Sequence, residues 1–229
     1  MSAERNALAR LKRPPRDFSR KADVAPPRAR ILIVCEGEKT EPNYFFDLLD
    51  DCRLTAADVR VVGKECDSAP ISVVDHAEKE CGARRFERVF CVFDRDRHES
   101  FDEAIRKIRS LRDNKFRAIV SYPCFEYWLL LHFKYTRKGY VARGKNSPGT
   151  VLETELSAEF ERVLGVPYKK GAEGIYRELK KKMNFAAKNA ALASSDAGVT
   201  EELNPSTEIL ELINYLRSES PDRLEPLPL

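Results

Sequence analysis

The sequence lacks the features of membrane-spanning and secreted proteins. Its 229 residues hold no apolar run near the roughly 18 residues that a spanning helix requires. The first thirty residues carry no apolar segment of the kind found in signal peptides. We therefore expect a cytoplasmic protein that does not associate with membranes.

The sequence also lacks cysteine spacing typical of metal or disulfide frameworks. Six cysteines are scattered along the chain without a Cys-x-x-Cys pair, and three lie in apolar runs, where cysteine usually acts as a small buried hydrophobe. The sequence therefore predicts neither a disulfide framework nor a zinc site around Cys35, Cys52, Cys66, Cys81, Cys91 and Cys124.

Positive charge is concentrated in the N-terminal segment, residues 1–29. Residues 1–30 hold nine lysines and arginines against three acidic residues, whereas the whole chain has a net charge of only +3. Two interpretations remain open: a disordered, solvated tail, or a basic arm that binds nucleic-acid phosphates without reading sequence.

Strand and helix patterns alternate from residue 30 to about 135. Short β-branched runs predict buried strands over 31–35, 59–62, 88–93 and 116–120, separated by helix patterns. This order predicts an α/β fold, a Rossmann-like core with a mainly parallel four-stranded sheet covered on both faces.

The rest of the chain reads as an addition to this core. An apolar helix is predicted over 123–133, followed by a loop and helical extension over 136–218 and a flexible tail over 219–229. Helices are expected at about 151–164, 172–194 and 205–218, the last with Asn204 as N-cap and Pro205 in its first position.

Acidic residues follow two of the predicted strands. Glu36 comes directly after the first strand, with Glu38 and Glu41 behind it, and Asp94 and Asp96 end the third. Ligands of parallel sheets bind outside the carboxyl ends of the strands, and clustered carboxylates favour a hard divalent cation. The residues thus point to a metal site, although a purely structural pair of turns remains open.

Several further residues are candidates for the same region. Gly37 lets the backbone approach a phosphate closely. Lys39, Arg95, Arg97 and His98 are expected to contact such a phosphate, and for His98 an exposed loop position is the alternative.

Two further features stay open. Glu126 is either a metal-site acid or a first-turn acid favoured by the helix dipole. A basic stretch from Lys169 to Lys188, including Lys180 and Lys181, predicts either nucleic-acid contacts or a solvated helix face.

Four segments together resemble the RloB family. They are Ile-Leu-Ile-Val-Cys-Glu-Gly-Glu-Lys-Thr-Glu-Pro-Asn-Tyr-Phe (31–45), Val-Phe-Asp-Arg-Asp (92–96), Pro-Cys-Phe-Glu-Tyr-Trp-Leu-Leu-Leu-His-Phe (123–133) and Asn-Pro-Ser-Thr (204–207). The resemblance runs from about residue 30 to 217 and implies a Toprim-like core, as in topoisomerases, primases and overcoming-lysogenisation-defect nucleases.

The resemblance also implies roles for individual residues. Glu36 matches the Toprim glutamate, a general acid/base or ligand, and Asp94 and Asp96 match the metal-binding pair, so these three are the expected catalytic and metal-binding residues. Glu41 resembles a ligand for a second ion. Arg95 and Arg97 depart from the acidic or small residues that many Toprim nucleases have there, which leaves phosphate binding or a modified activity open.

We therefore expect a Mg²⁺-dependent nuclease, with Mn²⁺ as the alternative ion, that acts on RNA or DNA in bacterial defence against phage. The family setting implies a neighbouring ABC- or AAA-type ATPase as partner. This chain itself lacks the Gly-x-x-x-x-Gly-Lys-Ser/Thr motif, so we do not expect it to hydrolyse ATP through a P-loop. The alternatives are a non-catalytic nucleic-acid-binding or sensor subunit, and another Asp-x-Asp phosphoryl-transfer enzyme. The sequence does not indicate an oligomeric state.

Overall fold

A five-stranded sheet forms the centre of the fold. The computed structural model describes residues 30–56, 58–63, 69–95, 99–111 and 114–228. The strands are β1 (Ile31–Cys35), β2 (Val59–Val62), β3 (Arg88–Asp94), β4 (Phe116–Tyr122) and β5 (Ser206–Thr207), in the order β2-β1-β3-β4-β5. The first four are parallel, as predicted, and β5 adds a short antiparallel edge to β4.

Eight α-helices accompany the sheet in the described part of the chain. They are α1 (Thr40–Asp51), α2 (Pro70–Ala83), α3 (Phe101–Ser110), α4 (Glu126–Leu130), α5 (Pro148–Leu164), α6 (Ile175–Leu179), α7 (Met183–Thr200) and α8 (Ile209–Ser218), with a 3₁₀ turn at Lys180–Lys182 before α7. The mixed α/β architecture confirms the predicted fold class, while the Toprim assignment stays a prediction.

The two faces of the sheet bury separate apolar clusters, because alternate residues of a strand point to opposite sides. Leu32 and Val34 of β1 pack with residues of α2 and α3. Ile31 and Ile33 face the other side, where α1 and the helices from α4 to α8 pack. The helices α5 to α8 therefore lie on one side of the sheet and share its apolar core.

Register brings the carboxyl ends of three strands to one edge. Cys35 of β1 lies opposite Val92 of β3, and Asp94 of β3 lies opposite Ser121 of β4. The segments that leave β1, β3 and β4 consequently start side by side. This edge carries the candidate site.

Three helix predictions need correction, and the first two concern the segments 123–133 and 172–194. The apolar segment 123–133 contains only the five-residue helix α4. The segment 172–194 is divided into α6, a 3₁₀ turn and α7, which continues to Thr200.

The last helix begins at Ile209 rather than at Pro205, because the residues before it bind the sheet. Ser206 and Thr207 pair with β4, and the Glu208 carboxylate accepts the backbone N–H of Val120 at 2.9 Å. These bonds place residues 206–208 in a strand and its exit, so the helix starts after them.

The segment 219–228, predicted as a flexible tail, packs along α8. Leu227 is buried, and its backbone N–H donates to Asn214 Oδ1 at 2.7 Å. Arg217 of α8 also donates to the Glu225 carbonyl. The end of the described chain is thus held by specific contacts.

Among the residues that the structure describes, no helix combines the length and apolarity needed to cross a bilayer. None of the five described cysteines forms a disulfide with another described residue, and Cys66 lies outside the described residues.

Candidate metal site

Glu36 and Asp94 meet at the carboxyl edge of the sheet. The Glu36 N–H donates to the Val92 carbonyl at 2.9 Å, which continues the pairing of β1 with β3. The Glu36 side chain then turns across the edge, where its Oε2 accepts the backbone N–H of Asp94 at 2.9 Å. Two acidic residues that are 58 positions apart in the sequence are thereby fixed beside each other, as their strand-end positions predict.

Glu126 joins this acidic group from the next strand. It follows β4 as the first residue of α4 and is 1% exposed. One carboxylate oxygen each from Asp94 and Glu126, together with Cys124 Sγ, lie within 4.8 Å of one another. Glu126 is therefore both a first-turn acid and a member of the acidic group.

Cys124 was not among the predicted site residues. The sequence places it in an apolar run, and it is indeed buried. Its position just after β4 was a usable signal, because the residues that follow neighbouring parallel strands gather at one edge.

Glu41 and the loop after β1 complete a cavity of about 350 Å³. Five carboxyl side chains and two lysines line it; the lining residues are Glu36, Gly37, Glu38, Lys39, Thr40, Glu41, Asp94, Glu126, Lys170 and Gly171. A Cβ at Gly37 would lie 2.1 Å from Glu41 Oε2, so the glycine leaves room for the Glu41 carboxylate in its present position.

Burial and mutual repulsion make these carboxyl groups hard to ionise together. Burial, followed by the charge of Glu126, raises the pKa of Glu41 to about 7. Burial and the charges of Glu41 and Glu126 raise the pKa of Asp94 well above its usual range. A bound cation would reverse this effect, because it favours the ionised form of each neighbouring carboxyl.

The loop between α5 and α6 forms the remaining wall. The Tyr168 hydroxyl donates to Glu126 Oε1 at 3.1 Å, and the Lys170 ammonium lies 3.4 Å from the same oxygen and 2.8 Å from Glu153 Oε1. The Gly171 N–H donates to the Thr40 hydroxyl at 2.9 Å. The basic stretch predicted from Lys169 onward therefore starts at the acidic cavity itself.

Other predicted site residues lie elsewhere. The Arg95 guanidinium sits 4.2 Å from the centroid of the Phe101 ring and 3.8 Å from Asp102, toward α3, because Arg95 alternates with Asp94 along the strand. Lys180 binds Asp51 at 2.8 Å, at the opposite end of α1 from Glu41. Lys181 is exposed on the 3₁₀ turn.

Lys39 lines the cavity, whereas Asp96, Arg97 and His98 lie outside the described residues, as does the basic segment 1–29. The catalytic and metal-binding role of Asp96 and the phosphate contacts of the other residues stay predictions.

The donor set fits a hard divalent cation. Glu36, Glu41, Asp94 and Glu126 supply carboxylate oxygens, which are the ligands that Mg²⁺ and Mn²⁺ prefer. Burial and the nearby charge of Glu126 raise the pKa of the Cys124 thiol well above its usual range, so this group stays protonated unless a soft metal displaces its proton.

Fold and site together define an α/β protein with an acidic, metal-compatible cavity at the carboxyl edge of a mainly parallel sheet. The chain belongs to the RloB-like protein family, whose family model matches residues 31–216. No curated protein and no solved structure matches it significantly.

Proposed function

We propose that this chain is a metal-dependent phosphodiesterase that cleaves nucleic acid, with Mg²⁺ or Mn²⁺ as its ion. The observation that carries the proposal is the convergence of Glu36, Asp94 and Glu126 from the ends of three neighbouring strands. RloB-like family membership supports a role in defence against phage or foreign DNA.

The chemistry follows from the charge of the cavity. A divalent cation held by these carboxylates supplies Lewis-acid activation of water and neutralises charge on the phosphate. Because the pKa of Glu41 is raised to about 7 in the metal-free chain, binding of a cation near neutral pH would be coupled to release of a proton from this carboxyl.

The test is incubation of the full chain with plasmid, single-stranded DNA and transfer RNA, in Mg²⁺, Mn²⁺ or EDTA. We expect metal-dependent cleavage by the wild type and a loss of about a hundredfold or more in Glu36→Gln and in Glu126→Gln, as for other groups that hold catalytic metals. The matched control is Asp102→Asn, which removes an exposed carboxylate beside Arg95 at the same end of the sheet. Cleavage by Glu36→Gln at the wild-type rate would end the assigned mechanism.

The second candidate is a non-catalytic nucleic-acid-binding or sensor subunit that acts with a partner ATPase. It is favoured by the Lys170–Glu126 ion pair and the raised pKa of Asp94, which let the acidic group persist without an ion. A sensor would keep its binding role in Glu36→Gln, and wild type would cleave none of the three substrates in either metal, even with the ATPase added.

A further inference from the structure

Lys170 is carried by a loop that is tied to the acidic edge of the sheet. Its neighbour Gly171 donates its N–H to the Thr40 hydroxyl, and the Gly171 carbonyl accepts from Asn43 Nδ2 at 3.2 Å. Both partners belong to the first turn of α1, which also carries Glu41.

The local backbone suits this attachment. Gly171 has a φ of +74°, in the left-handed region, and a Cβ there would lie 3.2 Å from Lys39 Cβ. The two hydrogen bonds and the glycine together fix where the Lys170 side chain begins, so its ammonium is positioned rather than free to sample the surface.

The ammonium lies between two carboxylates at the mouth of the cavity. It is 2.8 Å from Glu153 and 3.4 Å from Glu126, yet the Lys170 side chain is 61% exposed. Glu126 by contrast is buried, so Lys170 spans the distance between the metal-binding carboxylates and solvent.

A phosphate that approaches this cavity meets five carboxyl groups. Lys39 and Lys170 are the cationic side chains among its described lining residues, and Lys170 is the one in direct contact with the acidic group. A cation bound to Glu126 would cancel one of the two negative charges beside Lys170, while Glu153 would still hold the ammonium at the mouth of the cavity, where it could bind an anion beside the metal.

We propose that Lys170 binds the substrate phosphate next to the metal, and that its ion pair with Glu126 makes it the internal counter-ion of the metal-free protein. This inference rests on the proposed function, since it assumes that the carboxylates hold a divalent cation. When metal and phosphate bind, the Lys170 ammonium gives up its ion pair with Glu126 and contacts the phosphate instead.

Two binding measurements on the full chain test the inference without relying on cleavage. Mn²⁺ affinity is measured by electron paramagnetic resonance, and binding of inorganic phosphate to the Mg²⁺-saturated protein by calorimetry. The variants are Lys170→Gln, Lys170→Ala as a second neutral form, and Lys170→Arg, which keeps the charge. Lys169→Gln is the matched control, because it removes the preceding exposed lysine of the same loop.

We expect both neutral variants to bind Mn²⁺ at least as tightly as wild type, because Glu126 loses a competing cation. We expect their phosphate affinity to fall by about tenfold or more, as for the loss of a charge-assisted contact. Lys170→Arg retains most of the phosphate affinity, and Lys169→Gln is within about twofold of wild type.

Phosphate affinity within twofold of wild type in a folded neutral variant would overturn the inference, as would wild-type protein that binds Mg²⁺ but no phosphate. A wild type that binds no divalent ion would overturn both this inference and the proposed function. Lys170-dependent phosphate binding without cleavage of any nucleic acid would contradict the proposed nuclease alone and leave the role of Lys170 standing.

Discussion

The carboxylate of Glu36 accepts the backbone N–H of Asp94 at 2.9 Å and so joins the ends of β1 and β3. This bond gives Glu36 a structural role besides its charge. Glutamine retains an acceptor oxygen for the N–H, whereas alanine leaves this partly buried donor without its acceptor. Comparing the two substitutions therefore distinguishes the contribution of this hydrogen bond from that of the Glu36 charge.

We expect Glu36→Ala to lower the free energy of unfolding by about 1–3 kcal/mol and Glu36→Gln to change it by less than about 1 kcal/mol. Urea denaturation in EDTA measures both. Equal losses in the two variants would mean that the hydrogen bond contributes nothing to the stability of this edge.

Glu41 makes the stability of the metal-free protein depend on pH. Its pKa is about 7 in the folded chain against an ordinary value of 4.5, so the folded state binds more protons between these values. The free energy of unfolding should therefore fall as pH rises from about 4.5 to 7, by up to about 3 kcal/mol, and change little from this cause above pH 7.

Thermal melts in EDTA between pH 5 and pH 8 measure this loss, and Glu41→Gln is expected to flatten it because glutamine does not titrate. Wild-type and Glu41→Gln curves of the same shape would contradict the assignment. With a saturating divalent cation the loss should be smaller, since the ion favours the ionised carboxyl.

Gly63 is required for space at the back of the loop after β1. A Cβ at Gly63 would lie 2.5 Å from the Gly37 carbonyl oxygen and 2.6 Å from Pro42 Cγ, and neither can move without shifting backbone or a ring. We expect Gly63→Ala to destabilise the protein by about 2 kcal/mol or more.

Gly37→Ala meets only the end of the flexible Glu41 side chain, so it should weaken Mn²⁺ binding more than it lowers stability. Gly82→Ala is the control, because a Cβ there would meet nothing within 4 Å and Gly82 lies in α2. It should raise the free energy of unfolding by up to about 1 kcal/mol. A Gly63→Ala protein as stable as wild type would refute the close approach. Denaturant midpoints measure the stability of all three variants, and electron paramagnetic resonance measures the Mn²⁺ affinity of Gly37→Ala.

Tyr44 connects α1 to α4 through a buried hydrogen bond. The Trp128 indole N–H donates to the Tyr44 hydroxyl at 2.8 Å, and both side chains are buried. Tyr44→Phe leaves the indole N–H without this acceptor, and we expect a loss of about 1–3 kcal/mol in the free energy of unfolding.

The control is Tyr176→Phe, which removes a bond to Asp51, whose partly exposed carboxylate keeps Lys180 as a partner at 2.8 Å. Its expected loss is below about 1 kcal/mol. Chemical denaturation compares the two, and a larger loss in Tyr176→Phe would contradict the ranking.

Cys124 should decide how the site responds to soft metals. Its thiol lies within 4.8 Å of the nearest Asp94 and Glu126 oxygens, and thiolate is a preferred ligand of Zn²⁺ and Cd²⁺ but not of Mg²⁺. We expect Cys124→Ser to keep Mg²⁺-dependent behaviour and to lose the ultraviolet charge-transfer band that Cd²⁺ forms with thiolate. Cys81→Ser, on α2, is the control; a Cd²⁺ band that persists in Cys124→Ser would exclude the thiol as a ligand.

Local sequence patterns predicted the strands and the meeting of Glu36 with Asp94, because buried parallel strands are short β-branched runs and their exits share an edge. The helix over 123–133 was over-predicted. Leu131, His132 and Phe133 are buried by the surrounding layer and continue α4 only as hydrogen-bonded turns. Their composition therefore reflects burial and does not require a longer helix.

Lys170 and β5 could not be predicted in the same way. Lys170 faces Glu126 only because the loop after α5 binds Thr40, a contact across 131 positions. β5 has two polar residues, Ser206 and Thr207, and they form a strand because Ser121 and Tyr122 pair with them. Such contacts depend on tertiary packing, which leaves no periodic pattern in the sequence.

The tether between Gly171 and the first turn of α1 means that the acidic edge is shared by two remote parts of the chain. Thr40 and Glu41 come from its beginning, and Tyr168 and Lys170 from beyond its middle. A ribosome that had released only the first 135 residues would have made every strand-end carboxylate without the wall that faces them. The acidic cavity would then be complete only late in synthesis, once the loop that carries Tyr168 and Lys170 has packed against α1.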